Sequence, residues 1–515
     1  MPAWHQPRPR TALCAALVLA LVAAAPAGAQ EAATSPSPAQ ASAALDAATE
    51  ALDPGAGPAG QPAPDATPAL AALSAALPAL EGRERRLARE LLARPTDGAA
   101  DQYGDGYPAA GDVRSVEGAH FCVFWIDDAG NSDAPDLTDS NGDGTPDYVA
   151  SILEIAEHSY AVEVAPGPLG WAAPKPDTSG CGADPAARSD VYLTELGNQG
   201  LFGYESPDPG QGKQRSQYGY LVLDNDYSKA EYGYDDPLLP AKVTVAHEFN
   251  HLLQQNYDSF QDLWMFESTA VWAEEQVYPE INDYVNYVSD FASSPNTPLT
   301  DRSAAGGLKI YGSAVWNHWL DRGAGLGPDA IRGAWEVSGS TSPPDFAVGA
   351  YDRVARSRGG EGFSPQFARF AAATAEWRAG SGRFPDAQAY PDVRRKGSLK
   401  RGSERRLRLD HTAYRLLSVR STGGKRLRLS IDAEPGVRTG IALVGRQGPA
   451  TTGQVTRHVR YLAQGGSGSV GLGSPKRFAR VTAVVANADG RVRGFGGADW
   501  NYRADGARYE LSLAR

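Results

Sequence analysis

His247, Glu248, Phe249, Asn250 and His251 spell H-E-x-x-H, inside the segment LLPAKVTVAHEFNHLLQQNY that begins at Leu238. In a helix, residues four apart share a face, so His247 and His251 can offer two imidazoles to one metal ion. Glu248 then lies beside that ion, placed to take a proton from water. Pro240 suits the start of such a helix, where a missing N–H leaves no bond unmade. Val243, Phe249, Leu252 and Leu253 supply apolar flanks.

Two imidazoles do not complete a catalytic zinc site, which takes three protein ligands and keeps one position for water. The next helical stretch, LWMFESTAVWAEEQVY from Leu263, carries Glu267. After a short turn an antiparallel helix would bring that carboxylate to the metal, giving a His₂Glu set for Zn²⁺. Glu274 falls almost two turns further along the same face. It is placed to accept a hydrogen bond from the far ring nitrogen of a ligand histidine.

HEFNH followed by FESTAVWAEE resembles the gluzincin metallopeptidases, which carry H-E-x-x-H and then a downstream N-E-x-x-A-x-x-x-E-like helix. The spacing between the two motifs is shorter here than in the thermolysin and M1 branches. A closer resemblance is to a group of secreted bacterial metalloproteases known mostly by sequence. It runs through DxNGDGxPDYV, DVYL…GY, LVLDND, AHEFxH, DLWxxExTAVWxEE and YGSAxW, across roughly residues 115–380. The resemblance implies a zinc peptidase with Glu248 as general base. It also implies Tyr311, in KIYGSAVWNHWL, as a donor to the oxyanion. The G-x-M-E-N string that holds a substrate N-terminus in M1 enzymes is missing, which favours endopeptidase action. Two rivals stand beside this reading. One is a metal-dependent exopeptidase or cell-wall peptide amidase using the same site. The other is a non-enzymatic, calcium-stabilised protein that binds surfaces.

The run DLTDSNGDGTPDYV from Asp136 sets oxygen side chains at alternate positions around a glycine. Asp139, Asn141, Asp143 and Asp147, with the Thr145 carbonyl, match an EF-hand-like loop for Ca²⁺. Ala150 stands where the bidentate acid belongs, so the expected affinity is modest.

Residues 1–29 read as a secretory leader, with Arg8 and Arg10 before an apolar run and Ala27-Gly28-Ala29 before Gln30. A secreted, extracellular protein follows; the leader's apolar run is too short for a membrane span, and no other long apolar stretch exists. Beyond the leader, Cys122 and Cys181 can form one disulfide or remain two thiols.

Residues 30–115 form an Ala/Pro-rich stretch, expected as a disordered linker or pro-segment with one short helix. It contains neither Cys nor His, so neither could bind the metal from there. Residues 116–390 alternate strand patterns (HFCVFWI, DVYLTEL, YGYLVLDN) with helices, as an α+β zincin-like domain does: a mixed sheet, then helices. Residues 396–515 are short alternating runs between Gly-rich turns, an all-β sandwich. The chain carries a net charge of −12, yet residues 396–515 hold 23 Lys and Arg against 8 Asp and Glu. The basic end can contact the acidic front or an anionic surface. No specific nucleic-acid partner is expected; a protein or peptide substrate is.

Overall fold

A computed structural model describes residues 36–52, 65–97, 107, 112–177, 181, 188–211, 214–340, 347–379, 382–420, 423–491 and 506–514. The leader expected over residues 1–29 lies outside them. Among the described residues the chain mixes α and β, with an all-β C-terminal region.

Three helices come first: α1 (Pro38–Leu52), α2 (Thr67–Ala76) and α3 (Gly82–Leu91). A five-stranded sheet follows, formed by β1 (Val113–Glu117), β2 (Phe121–Ile126), β3 (Ser189–Thr194), β4 (Gly203–Pro207) and β5 (Gly219–Asp224) in the order β1-β2-β3-β5-β4. β2, β3 and β5 run parallel, while β1 and β4 are antiparallel edges. Helix α4 (Asp147–Glu163) lies between β2 and β3 in the chain, as a parallel crossover requires. Every residue of β3 and β5 is buried. That is why β5 reads as an apolar run from Tyr220 to Leu223, while β3 buries Ser189, Asp190 and Thr194 beside its apolar residues.

One face of the sheet (Val123, Val191, Leu193, Leu221, Leu223) packs against Val245, Phe249 and Leu252. These belong to α6 (Leu238–Asp258), which a single-turn α5 (Lys229–Tyr232) precedes. The other face (Ile126, Tyr192, Tyr204, Tyr220, Val222) is covered by Leu70, Leu73, Leu80 and Leu92 from the α2–α3 region. The expectation of disorder is corrected here for residues 36–52 and 65–97. The Ala/Leu tract has little to bury alone, but the second sheet face supplies the missing cover. Those four leucines are fully buried. At about 1.5–3 kcal/mol each, an upper figure, their burial outweighs the weak packing of isolated alanine helices.

Helix α7 (Leu263–Val277) returns beside α6 and is itself almost wholly buried. Helices α8 (Val285–Ser293), α9 (Lys309–Gly312), α10 (Ala314–His318), α11 (Asp329–Ser340), α12 (Ala347–Ser357) and α13 (Phe363–Thr374) complete this region. Cys122 of β2 is joined to Cys181 by a disulfide, with their Cα atoms 6.1 Å apart.

Strands β6 (Arg395–Lys400), β7 (Glu404–Leu409), β8 (Tyr414–Arg420), β9 (Arg426–Ala433), β10 (Thr439–Gln447), β11 (Gln454–Leu462), β12 (Gly466–Gly473), β13 (Arg480–Asn487) and β14 (Ala507–Ala514) form a five-stranded sheet (β11-β10-β13-β8-β6) and a four-stranded one (β12-β9-β14-β7). Leucines 417, 429, 443, 472 and 511 lie in the core that both sheets share. The outer face of the larger sheet (Leu416, Ala442, Val444, Val484) joins the core that includes Phe367 and Phe370 of α13. At this junction Arg395, Arg446 and Arg480 surround the buried Glu376 carboxylate, at 3.3, 2.9 and 2.6 Å. Arg446 and Arg480 of the basic end thus meet one buried carboxylate, Glu376, of the front part.

Candidate metal centre

Helices α6 and α7 pack side by side, and their facing sides carry the motif residues. His247 and His251 stand one turn apart on α6, with Glu267 opposite them on α7. The Oε2 atom of Glu267 lies 3.3 Å from His247 Nε2 and 3.7 Å from His251 Nε2. Zinc bonds of about 2.0–2.2 Å to tetrahedral ligands put neighbouring ligand atoms about 3.3–3.6 Å apart. The observed separations suit such an ion.

Each imidazole is oriented from behind. His247 Nδ1 lies 2.6 Å from Oε1 of Glu274, and His251 Nδ1 lies 2.8 Å from Oε1 of Gln254. An acceptor at Nδ1 fixes the proton there and leaves Nε2 as the lone pair that faces the metal position. Gln254 is held in turn by Asn250 Oδ1 at 2.6 Å and the Phe266 carbonyl at 3.1 Å, both of which accept from its amide. Asn250 donates to Glu163 Oε2 at 2.7 Å.

A fourth group completes the cluster from an unexpected place. Asp65, just before α2, puts Oδ2 3.5 Å from His251 Nε2 and 3.8 Å from His247 Nε2. Asp65, His247, His251 and Glu267 form one group whose ligand atoms all lie within 4.8 Å of one another. Asp65 Oδ2, both Nε2 atoms and both Glu267 oxygens are buried with no hydrogen-bond partner. Buried polar atoms are nearly always paired. Five without a partner around one point have the donor chemistry that a cation takes, and the residues present fit a zinc ion.

The electrostatics follow from burial and close packing. Burial pushes the Glu248 carboxyl well above the usual range, and Asp65 adds to the effect. Burial opposes ionisation of Glu267 too, but His251 and His247 hold its carboxyl down at about 2. Burial works against charge on His251, yet Glu267 and Asp65 raise it to about 10. One cation in the middle would balance these groups more directly than protons on the rings do.

Tyr311, on α9, stacks on His247 with ring centroids 6.2 Å apart and on Tyr287 at 5.3 Å. Its hydroxyl accepts the Asp65 N–H at 2.8 Å. The Thr67 hydroxyl lies 3.2 Å from Glu248 Oε2 and accepts the Glu205 N–H of β4 at 2.8 Å.

The acidic loop is arranged differently. Asp139 accepts the N–H groups of Gly142 and Gly144, both at 2.8 Å. Asn141 and Asp143 accept those of Asp143 and Thr145, also at 2.8 Å, and Asp147 accepts from the Ser140 hydroxyl at 2.6 Å. These bonds shape the loop's turns, and each oxygen keeps a further lone pair. Among the described residues, the only gathered His and carboxylate group is the one around His247.

Sequence reasoning missed Asp65, Gln254, Glu163 and Glu205. Asp65 had one faint signal: it is the single acid between Asp53 and Glu81 in an otherwise uncharged tract.

No known family profile matches the chain. No curated protein matches it either. Among solved structures, the crystal structure of Legionella pneumophila aminopeptidase A in complex with aspartic acid is similar at 10% identity and a TM-score of 0.34. The match covers 70% of this chain and 36% of that one, so this chain spans about a third of its length. So low a score defines neither fold nor chemistry. No helix among the described residues is long and apolar enough to cross a membrane.

Proposed function

We propose that the chain is a secreted zinc-dependent endopeptidase with a zincin-like catalytic region. The observation that carries this reading is the set of buried, unpartnered donor atoms of His247, His251 and Glu267, with Glu248 beside them. A zinc ion held there would supply Lewis acidity, polarising a peptide carbonyl and easing the loss of a proton from water.

The chain's own groups do the rest. Glu248 takes the proton from the water that attacks the carbonyl carbon. As the C–N bond breaks, Glu248 passes that proton to the leaving amine. Tyr311 donates its hydroxyl hydrogen to the oxygen on which charge develops. Glu274 and Gln254 keep both imidazoles turned toward the metal. β4 is the last strand in the sheet order and runs antiparallel to β5 beside the motif helix; its residues are buried and Thr67 takes the Glu205 N–H, so this edge is free for a substrate only when that segment moves away. An extended substrate can add to such an edge by main-chain hydrogen bonds, which suits cleavage within a chain. Export is proposed from the leader sequence, and modest calcium binding from the spacing of the acidic loop.

An internally quenched peptide, acetylated at one end and amidated at the other, tests the reading. Cleavage that a chelator stops and Zn²⁺ restores is expected. Cleavage of free-ended peptides alone would move the assignment to an exopeptidase.

A further inference from the structure

We propose that Asp65 is a fourth protein ligand to the metal, and that the segment Asp65–Thr67 holds the site closed in the full-length chain. The inference rests on the metal-site reading above.

Asp65 is fixed in a way that leaves one oxygen for the ion. Its Oδ1 accepts the Thr67 N–H at 2.8 Å and lies 3.0 Å from the Thr67 hydroxyl. Its Oδ2 has no hydrogen-bond partner and faces both Nε2 atoms. That is the position a catalytic site keeps for water. The same short segment engages the remaining machinery. The Asp65 N–H is bonded to the Tyr311 hydroxyl, and the Thr67 hydroxyl sits against Glu248. Thr67 also takes the Glu205 N–H, a main-chain donor of the edge strand. Two residues, Asp65 and Thr67, thus occupy the ligand position, the base, the oxyanion donor and part of the strand edge together.

The segment is anchored at a distance. Leu70, Leu73 and Leu80 are buried on the sheet. Beyond α3, Arg94 is buried among Asp177, Asp190 and Asp208, with Nη1 2.6 Å from Asp190 Oδ2 and Nη2 2.5 Å from Asp208 Oδ2. Asp65 therefore approaches the site as part of a packed helical layer. Opening the site requires that layer to shift or be cut away.

The test uses the full-length, zinc-loaded chain, its Asp65→Ala and Asp65→Asn variants, and Asp46→Ala as a control at an exposed position of α1. Acetohydroxamate binding is measured by calorimetry, and hydrolysis of labelled casein by fluorescence. Hydroxamate needs an open ligand position, so its affinity reports the plug without any turnover. We expect at least about tenfold tighter hydroxamate binding and faster hydrolysis for Asp65→Ala than for wild type or Asp46→Ala, as removal of a closed population requires. Asp65→Asn should fall between them, and it carries the test if the alanine variant does not fold. Equal hydroxamate affinity in wild type and both Asp65 variants, or none in any, overturns the proposal. Tighter binding without hydrolysis would keep the plug and remove the peptidase reading.

Discussion

The Nδ1 atom of His247 lies 2.6 Å from Oε1 of Glu274, and both residues are buried. This carboxylate fixes the proton of the imidazole on the side away from the metal position. Glu274→Ala should lower zinc affinity by roughly 10–100-fold, the usual cost of losing such a support. Competition against a chromogenic chelator measures it. Unchanged affinity would mean that packing alone orients His247.

Tyr311 is expected to act on turnover more than on binding. Tyr311→Phe keeps the stacking on His247 and Tyr287 but removes the hydroxyl. A kcat loss of about 10²–10³ with little change in KM follows from the usual worth of one oxyanion donor. Steady-state kinetics in an Asp65→Ala background separates the two. A rise in KM alone would make Tyr311 a substrate-packing residue.

Arg94 neutralises a buried acidic cluster. Arg94→Met leaves Asp177, Asp190 and Asp208 without their shared guanidinium. Breaking a buried pair from one side costs about 3–5 kcal/mol. Urea denaturation should show a loss of that size. A loss below about 1 kcal/mol, the range of surface pairs, would show that the cluster is solvated.

Glu163 should make stability fall as pH rises. Burial lifts its carboxyl from 4.5 to about 8. Between those values the folded chain keeps a proton that the unfolded chain has lost. The stabilisation is full below pH 4.5 and is lost as pH rises through 8. Its upper size is roughly 4–5 kcal/mol. Glu163→Gln, which can still accept from Asn250, should flatten the curve between pH 5 and 8 in chelator-stripped protein. An unaltered slope would place the titrating group elsewhere.

What could be read from the sequence was what depends on near neighbours. Residues four apart on α6 must share a face, so His247 and His251 were visible as a pair. Glu267 followed from its place on the next helical stretch, Glu274 from the helical period of α7, and β5 from its apolar run. What could not be read depends on distant packing. Gln254 looks like an ordinary polar residue on a helix until its neighbour on α7 is known. β4, GYESP, has no alternation and ends in proline, and only its pairing with β5 makes it a strand. The helices before residue 97 need the second sheet face as a partner. Asp65 was hidden for the same reason. That segment has neither Cys nor His, and the residue that reaches the site is a carboxylate.

The most direct test compares Asp65→Ala with Asp65→Ala/Glu248→Gln at matched zinc content on an end-blocked, unstructured peptide. Internal cleavage by the first protein and a loss of at least about 10² in rate by the second is the expected result. Equal cleavage by both, or none by either while both hold zinc, would contradict the assignment of Glu248 as the base of a zinc endopeptidase.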